Sequence, residues 1–377
     1  MKQGWEIKKL GEVCTFQRGL TYSKDDEVEH SNNCVLRSNN IDLDTMSIVL
    51  DELKYINDDF VVSDDKKVKP NTILICMSNG SKQHIGKVAF IDKEYGYAFG
   101  GFMGLIRPNA EVSPKFIYYS CISSSYKHFL AGIGNGANIT NLKFSDLQQY
   151  TLPVPPREEQ ERIVEELNCL SGVIEKKREQ LRELDALAQS IFYTMFGDPI
   201  TNEKGWEVKK LGEVASEIFA GGDKPKDFSD IQTDEYLYPI YANGEGDRGL
   251  LGYSKTYRVE SKAVALGARG ASIGNCRICE GKFTPVVRLI TIIPSNKIDI
   301  IYLFYSVRTM SFNISGAGQA QLTTPNVINK SITIPPLSLQ QEFAEKIEAI
   351  EKQKELIKKS ISEVEDLFNS RMSYYFN

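Results

Sequence analysis

The chain contains a long internal duplication, and this feature constrains its fold more than any other. The first copy opens at Pro155-Pro156 and closes at Phe196. The same pattern returns 180 positions later, from Pro335-Pro336 to Phe376, with no gap needed to align the copies. Proline disrupts a helix interior but suits a helix start, so each copy predicts one long helix that begins beside its prolines.

Apolar residues recur in each copy at alternating steps of four and three, which is the spacing of a helix that packs along another helix. The predicted coiled-coil seam consists of Ile163, Leu167, Leu170, Ile174, Leu181, Leu184, Ile191, Phe343, Ile347, Ile350, Ile357, Ile361, Val364 and Phe368. A helix of about 40 residues is roughly 60 Å long. A pair of unpacked helices is the alternative, but the sustained heptad period favours a packed pair.

The duplication extends beyond the helices, because residues 4–13 return as residues 205–214. Both segments begin with Gly-Trp-Glu and continue as Lys-Lys-Leu-Gly-Glu-Val after one apolar residue. Each half of the chain is therefore predicted to be a globular region followed by a long helix. The predicted boundaries are 1–150 for the first domain, 151–197 for the first helix, 198–334 for the second domain and 335–377 for the second helix.

The chain connectivity predicts how the two helices run. The second globular region leaves the end of the first helix and leads into the start of the second, so a compact region would hold these two ends close together. The helices would then be antiparallel, whereas a parallel pair would require the second region to span the helix length. The predicted fold is α+β, with two similar globular domains, two long antiparallel coiled-coil helices between them and an approximate two-fold axis.

Composition places the chain among ordinary soluble proteins of a reducing compartment. Its 377 residues suffice for two domain cores, and its net charge of −5 gives no strong basic field. Seven irregularly spaced cysteines, an odd number, favour the cytoplasm over a disulfide framework. The first residues lack the apolar core of a signal peptide, and no apolar run reaches the length of a membrane helix.

The first globular region is predicted to be a mixed domain rich in strands. Residues 72–77 form a short apolar run that predicts a buried strand, and a polar, glycine-bounded loop follows at 78–86. A helix is predicted over 115–130, and a glycine-rich loop follows at 132–140.

The second globular region repeats this order with different residues. An apolar run at 263–267 precedes a loop at 268–274, a helix is predicted over 300–310, and a glycine-rich loop follows at 316–323. A shared scaffold with divergent loops is what two readers of different targets would have.

Four features together identify a resemblance that covers essentially the whole chain. They are the repeated Gly-Trp-Glu entry, the Arg269-Gly-Ala-Ser-Ile-Gly274 segment, the glycine-rich loop at 316–323, and the spacing of Pro155-Pro156 before Gln160. With them the chain resembles the specificity (S) subunit of type I restriction-modification systems. Each motif is weak alone, and the strength lies in their order and duplication.

The resemblance implies a non-catalytic subunit whose globular regions are target recognition domains. Each would read one half of a bipartite site on double-stranded DNA, with the helices as a ruler that sets half-site centres about one DNA turn apart. The subunit would carry two methyltransferase subunits and, in the restriction complex, two restriction subunits. S-adenosylmethionine, ATP and magnesium would belong to those partners, so this chain is expected to hold no cofactor or metal and to contact no membrane.

Arginine and lysine recognise guanine, and asparagine and glutamine recognise adenine, so loop residues of these types are the candidate DNA contacts. The candidates in the first domain are Arg18, Lys24, Asn79, Lys82, Gln83, Asn135 and Asn138. The candidates in the second domain are Lys224, Asn243, Arg248, Arg269, Gln319 and Gln321. For each residue, a solvated loop side chain without a DNA role is the alternative.

Three patterns that could indicate catalysis or metal binding are weak here. The glycines at 132, 134 and 136 follow a predicted helix, whereas a nucleotide loop lies between a strand and a helix. Asp198 with Glu207 and Lys209 resembles a nuclease triad, but the first repeat has no upstream acid. Cys276 and Cys279 form a lone pair without the two further ligands that zinc requires.

Two alternatives to the DNA-reading hypothesis remain open at this point. One is a scaffold with two ligand-binding domains that do not act on DNA, which the weak net charge permits. The other is a free-standing enzyme, for which neither domain supplies a catalytic constellation. Trp5 and Trp206 occupy equivalent repeat positions, where core packing is favoured over a partner contact.

Overall fold

The computed structural model describes residues 4–133, 141–244, 249–312 and 321–377. These residues divide into two compact units. Unit 1 comprises Met1–Lys177 with Ser360–Asn377, and unit 2 comprises Arg178–Lys359. Each unit thus combines one globular region with part of both long helices.

The globular region of unit 1 is built from short strands and helices. Its strands are β1 (Glu6–Lys9), β2 (Cys14–Arg18), β3 (Glu27–Val28), β4 (Asn33–Leu36), β5 (Lys54–Ile56), β6 (Thr72–Cys76), β7 (Val88–Ile91), β8 (Ala98–Phe99), β9 (Met103–Pro108) and β10 (Thr151–Val154). Its helices are α1 (Leu10–Val13), α2 (Pro114–Ser120), α3 (Ser124–Gly132) and α4 (Phe144–Leu147), and the long helix α5 (Arg157–Phe196) follows.

Three sheets organise unit 1. The central sheet has the antiparallel order β2-β9-β6-β7, and every residue of β6 is buried, as its apolar sequence predicts. A second sheet has the order β3-β5-β4-β8, in which β4 and β8 are parallel. Strands β1 and β10 form a separate antiparallel pair that joins the start of the chain to the segment before α5.

Unit 2 repeats these elements. Its strands are β11 (Glu207–Lys210), β12 (Ala215–Ala220), β13 (Tyr238–Tyr241), β14 (Leu250–Ser254), β15 (Ala263–Leu266), β16 (Cys276–Cys279), β17 (Thr284–Pro285), β18 (Ile290–Pro294) and β19 (Ser331–Ile334). Its helices are α6 (Leu211–Val214), α7 (Ile300–Thr309), α8 (Thr324–Ile328) and the long helix α9 (Leu337–Phe376). The order β12-β18-β15-β16 matches β2-β9-β6-β7, and β11 pairs with β19 as β1 pairs with β10.

The two long helices are antiparallel in both units. In unit 1 the hydroxyl of Tyr375, near the end of α9, donates to the Glu166 carboxylate near the start of α5 at 2.6 Å. In unit 2 the ring of Phe343, near the start of α9, lies 5.2 Å from that of Phe196 at the end of α5. Each helix has 40 residues, so the predicted long helices and their antiparallel packing are confirmed.

All fourteen predicted seam residues are buried or half-buried. The seam continues into aromatic clusters at the helix ends, since Phe192 and Phe376 are also fully buried. The ring of Phe376 lies 5.0 Å from Phe116 of α2. These contacts join the helix seam to the core of each globular region.

A buried glutamine anchors the start of each long helix. The amide oxygen of Gln160 accepts from the backbone N–H of Ser113 at 2.7 Å, and its nitrogen donates to the Pro155 carbonyl at 2.9 Å. Gln340 forms the same pair of bonds in unit 2, with the Asp299 N–H and the Pro335 carbonyl, both at 2.8 Å. The glutamine of the Pro-Pro-x-x-x-Gln spacing therefore fixes the angle at which the helix leaves the domain.

The structure differs from the sequence predictions in two places. The helix predicted over 115–130 is two helices, α2 and α3, because the Ser123 side chain accepts from the backbone N–H of Tyr126 and starts a new helix. The segment predicted as the start of the first long helix at residue 151 forms strand β10, and α5 begins at Arg157.

The two tryptophans occupy equivalent, half-buried positions. Trp5 packs against the hydrophobic core of unit 1. The indole Nε1–H of Trp206 donates to the backbone carbonyl of Phe196 at 2.9 Å, which ties the end of α5 to the start of the second globular region. Both side chains therefore take part in packing where the domain begins.

Candidate nucleic-acid interface

A cleft in unit 1 brings together three of the predicted DNA contacts. It has a volume of about 750 Å³ and is lined by Arg18, Lys24 and Asn79, among other residues. Arg18 is the last residue of β2, and Lys24 opens the short 3₁₀ turn Lys24–Asp26. Both side chains are exposed, so their charges can reach a ligand in the cleft.

The charge balance of this cleft favours an anionic ligand. Arg37 also lines it, and the buried Nε–H of this residue has no hydrogen-bond partner among the described residues. The one acidic side chain of the lining, Glu27, is paired with the ammonium of Lys54. Arginine forms bidentate hydrogen bonds with both phosphate and guanine, so the cleft carries groups suited to a nucleic acid.

A half-buried tyrosine adds a neutral donor to the same cleft. Burial raises the pKa of Tyr22, so its hydroxyl stays protonated near neutral pH. The turn that follows is held by Asp26, whose carboxylate accepts from the backbone N–H of Ser23 at 2.6 Å, which lowers the pKa of that carboxyl. Lys24 is thereby displayed on a fixed turn.

Sequence reasoning placed three candidates on the loop after β6, and the structure separates their roles. The Asn79 amide donates to Ser38 Oγ at 2.8 Å and accepts from the Ser81 N–H at 2.9 Å, so this residue shapes the loop. Lys82 and Gln83 lie on the exposed turn Lys82–His84, where their side chains reach solvent.

The loop after β6 or β15 pairs with a residue at the end of the predicted glycine-rich segment in each unit. In unit 1 an isolated antiparallel bridge joins Ser78 to Asn141. In unit 2 the equivalent bridge joins Arg269 to Gln321. The bridged residues are 50 or more positions apart in sequence and lie side by side in each unit.

The candidates of unit 2 also divide into displayed and engaged side chains. Arg269 is exposed and Gln321 is half-buried beside it. The Asn243 amide donates to the Val287 carbonyl at 2.6 Å and accepts from the Ala268 N–H at 2.8 Å. This side chain therefore links two backbone segments. The four candidates that lie outside the described residues are Asn135, Asn138, Arg248 and Gln319.

Lys224 of unit 2 is half-buried, and its ammonium lies 3.2 Å from the centroid of the Phe228 ring. This cation–π contact holds the side chain on the loop after β12, which is the equivalent of the Arg18 loop in unit 1. The positive charge of Lys224 is therefore held in one position, where it can contact a polyanion.

The patterns considered for catalysis or metal binding take local structural roles. Cys276 and Cys279 are three positions apart in β16, so they face opposite sides of the strand and pack in different clusters. Asp198 accepts from the Ile200 N–H at 2.8 Å, while Glu207 pairs with Lys209 at 3.2 Å. Within the described ranges, no cluster of three or more potential metal ligands occurs.

Sequence reasoning missed Arg37 as a candidate contact. It follows the short strand β4 in a stretch without glycine or a charge cluster, so no local pattern marks it. Only the pairing of β4 with β8 brings it to the cleft beside Arg18. The part of the chain that the structure describes contains no helix that could cross a membrane.

Comparison with known proteins gives concordant results. The profile of the family described as "Type I restriction modification DNA specificity domain" matches residues 2–185 and 203–366. A Mycoplasma pneumoniae protein named as a type I specificity subunit is 30% identical over 256 residues, which are 63% of this chain and 72% of that protein. The specificity subunit of the StySPI type I restriction enzyme of Salmonella potsdam is 23% identical over 410 aligned positions, covering 98% of this chain and 87% of that subunit.

The fold is also found in a solved structure. The crystal structure of the S subunit of a type I restriction-modification system from M. genitalium aligns with 99% of this chain and 96% of its own length. The TM-score is 0.61 at 16% sequence identity. At this identity the similarity shows a shared fold.

Proposed function

The chain belongs to the type I restriction-modification DNA specificity family, and from this premise we propose that each globular region reads one half of a bipartite DNA site. The observation that carries the proposal is the repeated loop pair. Ser78 joins Asn141 in unit 1 and Arg269 joins Gln321 in unit 2, on strand orders that match. One scaffold presents two different sets of polar side chains, as two readers of different half-sites require.

The cleft of unit 1 supports DNA as the ligand over a small molecule. Three basic side chains, Arg18, Lys24 and Arg37, line it, and its carboxylate is neutralised by Lys54. Arginine and lysine supply both phosphate contacts, which position a protein on DNA, and base contacts, which specify sequence. The overall charge of −5 then reflects acidic helices and does not argue against a local basic surface.

The chain is a non-catalytic specificity subunit, and we propose that it carries two copies of a methyltransferase subunit. Exposed apolar side chains recur at equivalent positions of the repeat. Ile7 and Val208 are 53% and 54% exposed, and Leu187 and Leu367 are 47% and 46% exposed. Ile7 and Leu367 belong to unit 1, whereas Val208 and Leu187 belong to unit 2. Such matched apolar residues suit one partner type that docks equivalently on each unit.

The remaining members of the complex follow from the family premise. We propose that two restriction subunits join in the full restriction complex. S-adenosylmethionine, ATP and magnesium would bind to the partner subunits. This chain would recognise the DNA sequence and so determine where the reaction takes place. A cytoplasmic location is part of the same proposal, since the DNA and the partners reside there.

A methylome tests the proposal directly. The full chain is expressed with its methyltransferase subunit in cells that lack the system, and methyladenine is mapped across the genome. The expected result is a bipartite motif with a fixed gap. No new methylation from a complex that has assembled would reject DNA reading and support the alternative, a scaffold whose domains bind other ligands.

A further inference from the structure

The turn before the last core strand occupies an equivalent place in both units. In unit 1 this turn comprises residues 100–103 and ends at the first residue of β9. In unit 2 it comprises residues 286–289 and ends just before β18. The backbone N–H of Gly19 donates to the Met103 carbonyl at 3.2 Å, and that of Gly221 donates to the Leu289 carbonyl at 2.8 Å. Because Met103 thus corresponds to Leu289, Phe102 corresponds to Arg288.

The same turn is tied to the paired loops in each unit. The Phe102 carbonyl accepts from the backbone N–H groups of Met77 at 2.9 Å and Ser78 at 3.1 Å. In unit 2 the Val287 carbonyl accepts from the amide of Asn243, which also accepts from the Ala268 N–H beside Arg269. Each turn is therefore fixed against the surface that we assign to DNA.

The side chains at the two turns point away from the core. Phe102 is 72% exposed in the lining of the basic cleft, where an aromatic ring has no packing role. Arg288 is exposed, and within the described residues its guanidinium has no hydrogen-bond or ion-pair partner.

The backbone of the second turn is strained. Val287 and Arg288 adopt φ angles of 53° and 62°, and a β-branched residue rarely occupies this left-handed region. Such strain persists where the surrounding structure enforces it and is concentrated at functional sites. Here it displays the Arg288 side chain at the position that Phe102 has in the other unit.

We propose that these two turns carry base-contacting side chains, with Phe102 packing on a thymine methyl group and Arg288 bonding to a guanine. Apolar contact with the C5-methyl group of thymine and bidentate bonds from arginine to guanine O6 and N7 are recognised modes of major-groove reading. The inference rests on the proposed DNA-reading function and assigns one residue of each half-site to a named side chain.

The test uses the assembled complex of full-length chain and methyltransferase, with competition binding on a library of half-site variants. In Phe102→Ala, one thymine position of one half-site loses about 4-fold discrimination, the value of one methyl group, and the other half-site is unchanged. In Arg288→Ala, one guanine position of the opposite half-site loses about 5- to 150-fold discrimination, the range for a bidentate pair. Replacing that thymine with deoxyuridine weakens the wild type about 4-fold, the value of one methyl group, and has no further effect on Phe102→Ala.

Matched controls keep the result interpretable. Val61→Ala and Ile231→Ala remove other exposed apolar side chains, which are 88% and 71% exposed, and both should retain the wild-type motif. Phe102→Leu keeps an apolar contact and should retain the thymine preference. If the alanine variant fails to assemble, the deoxyuridine substitution still tests the thymine contact in the wild-type complex.

The outcomes separate this inference from the function on which it rests. An unchanged motif in both variants, or a uniform loss of affinity for every sequence, would overturn the base-contact assignment while the wild type still reads a motif. A wild-type complex that recognises no sequence would instead reject the proposed function.

Discussion

Truncation of Gln160 to alanine tests how the long helix is fixed to its domain. The side chain is 1% exposed and satisfies two buried backbone groups, the N–H of Ser113 and the carbonyl of Pro155. A buried polar group left without a partner costs about 1–3 kcal/mol, so losing both bonds predicts a decrease of about 2–6 kcal/mol in the free energy of unfolding of unit 1. The Gln340→Ala variant should destabilise unit 2 to the same extent.

The two tryptophans make the assay specific to each unit, since Trp5 lies in unit 1 and Trp206 in unit 2. In a Trp206→Phe background, urea unfolding followed by fluorescence reports the unit that contains Gln160. The matched control is Glu165→Ala, which truncates an exposed side chain of similar size on the same helix and in the same unit, and it should change stability by less than about 0.5 kcal/mol. If Gln160→Ala behaved like this control, the anchoring role would be refuted.

Three further predictions follow from the structure. Cys169 is the one exposed cysteine of the seven, whereas Cys276 is half-buried and the other five are buried, so a maleimide should rapidly label one thiol per folded chain; rapid labelling of more would contradict this burial. Burial lowers the pKa of Lys354, but its bonds to Asp185 and Glu351 outweigh this effect, and the pKa is raised overall. The stabilisation from these bonds is therefore present below pH 10.5 and is lost above it. The unfolding free energies of the wild type and Lys354→Met should converge at alkaline pH, and a constant difference between them would reject this. Ile7→Asp or Val208→Asp should each reduce the methyltransferase copies in native mass spectra from two to one, whereas retention of both copies would show that these residues lie outside the docking surface.

The long helices were predictable because their information is local and repeated. The heptad spacing of residues such as Ile163 and Phe343 specifies a packed helix wherever the sequence occurs. The proline pairs indicate where each helix begins. Because the pattern is duplicated, the second copy independently supports the helix predicted from the first. Antiparallel packing followed from connectivity alone.

The parts that sequence reasoning missed depend on tertiary contacts. The break between α2 and α3 comes from the Ser123 cap within an apolar stretch that is otherwise helical in pattern. Strand β10 exists only because its partner is β1, about 145 positions earlier. The pairings of β4 with β8 and of loop with loop decide that Arg37 and Phe102 share a cleft, and no spacing in the sequence encodes that adjacency.

The central claim is that each globular region independently reads one half of a DNA site. The most direct measurement compares the methylomes of the wild type and of a double variant, Arg269→Ala with Gln321→Ala, which alters the paired loops of unit 2 alone. The account predicts a bipartite motif with a fixed gap for the wild type, and a variant motif in which one half relaxes while the other half and the gap stay the same. A continuous motif, or relaxation of both halves together, would contradict it.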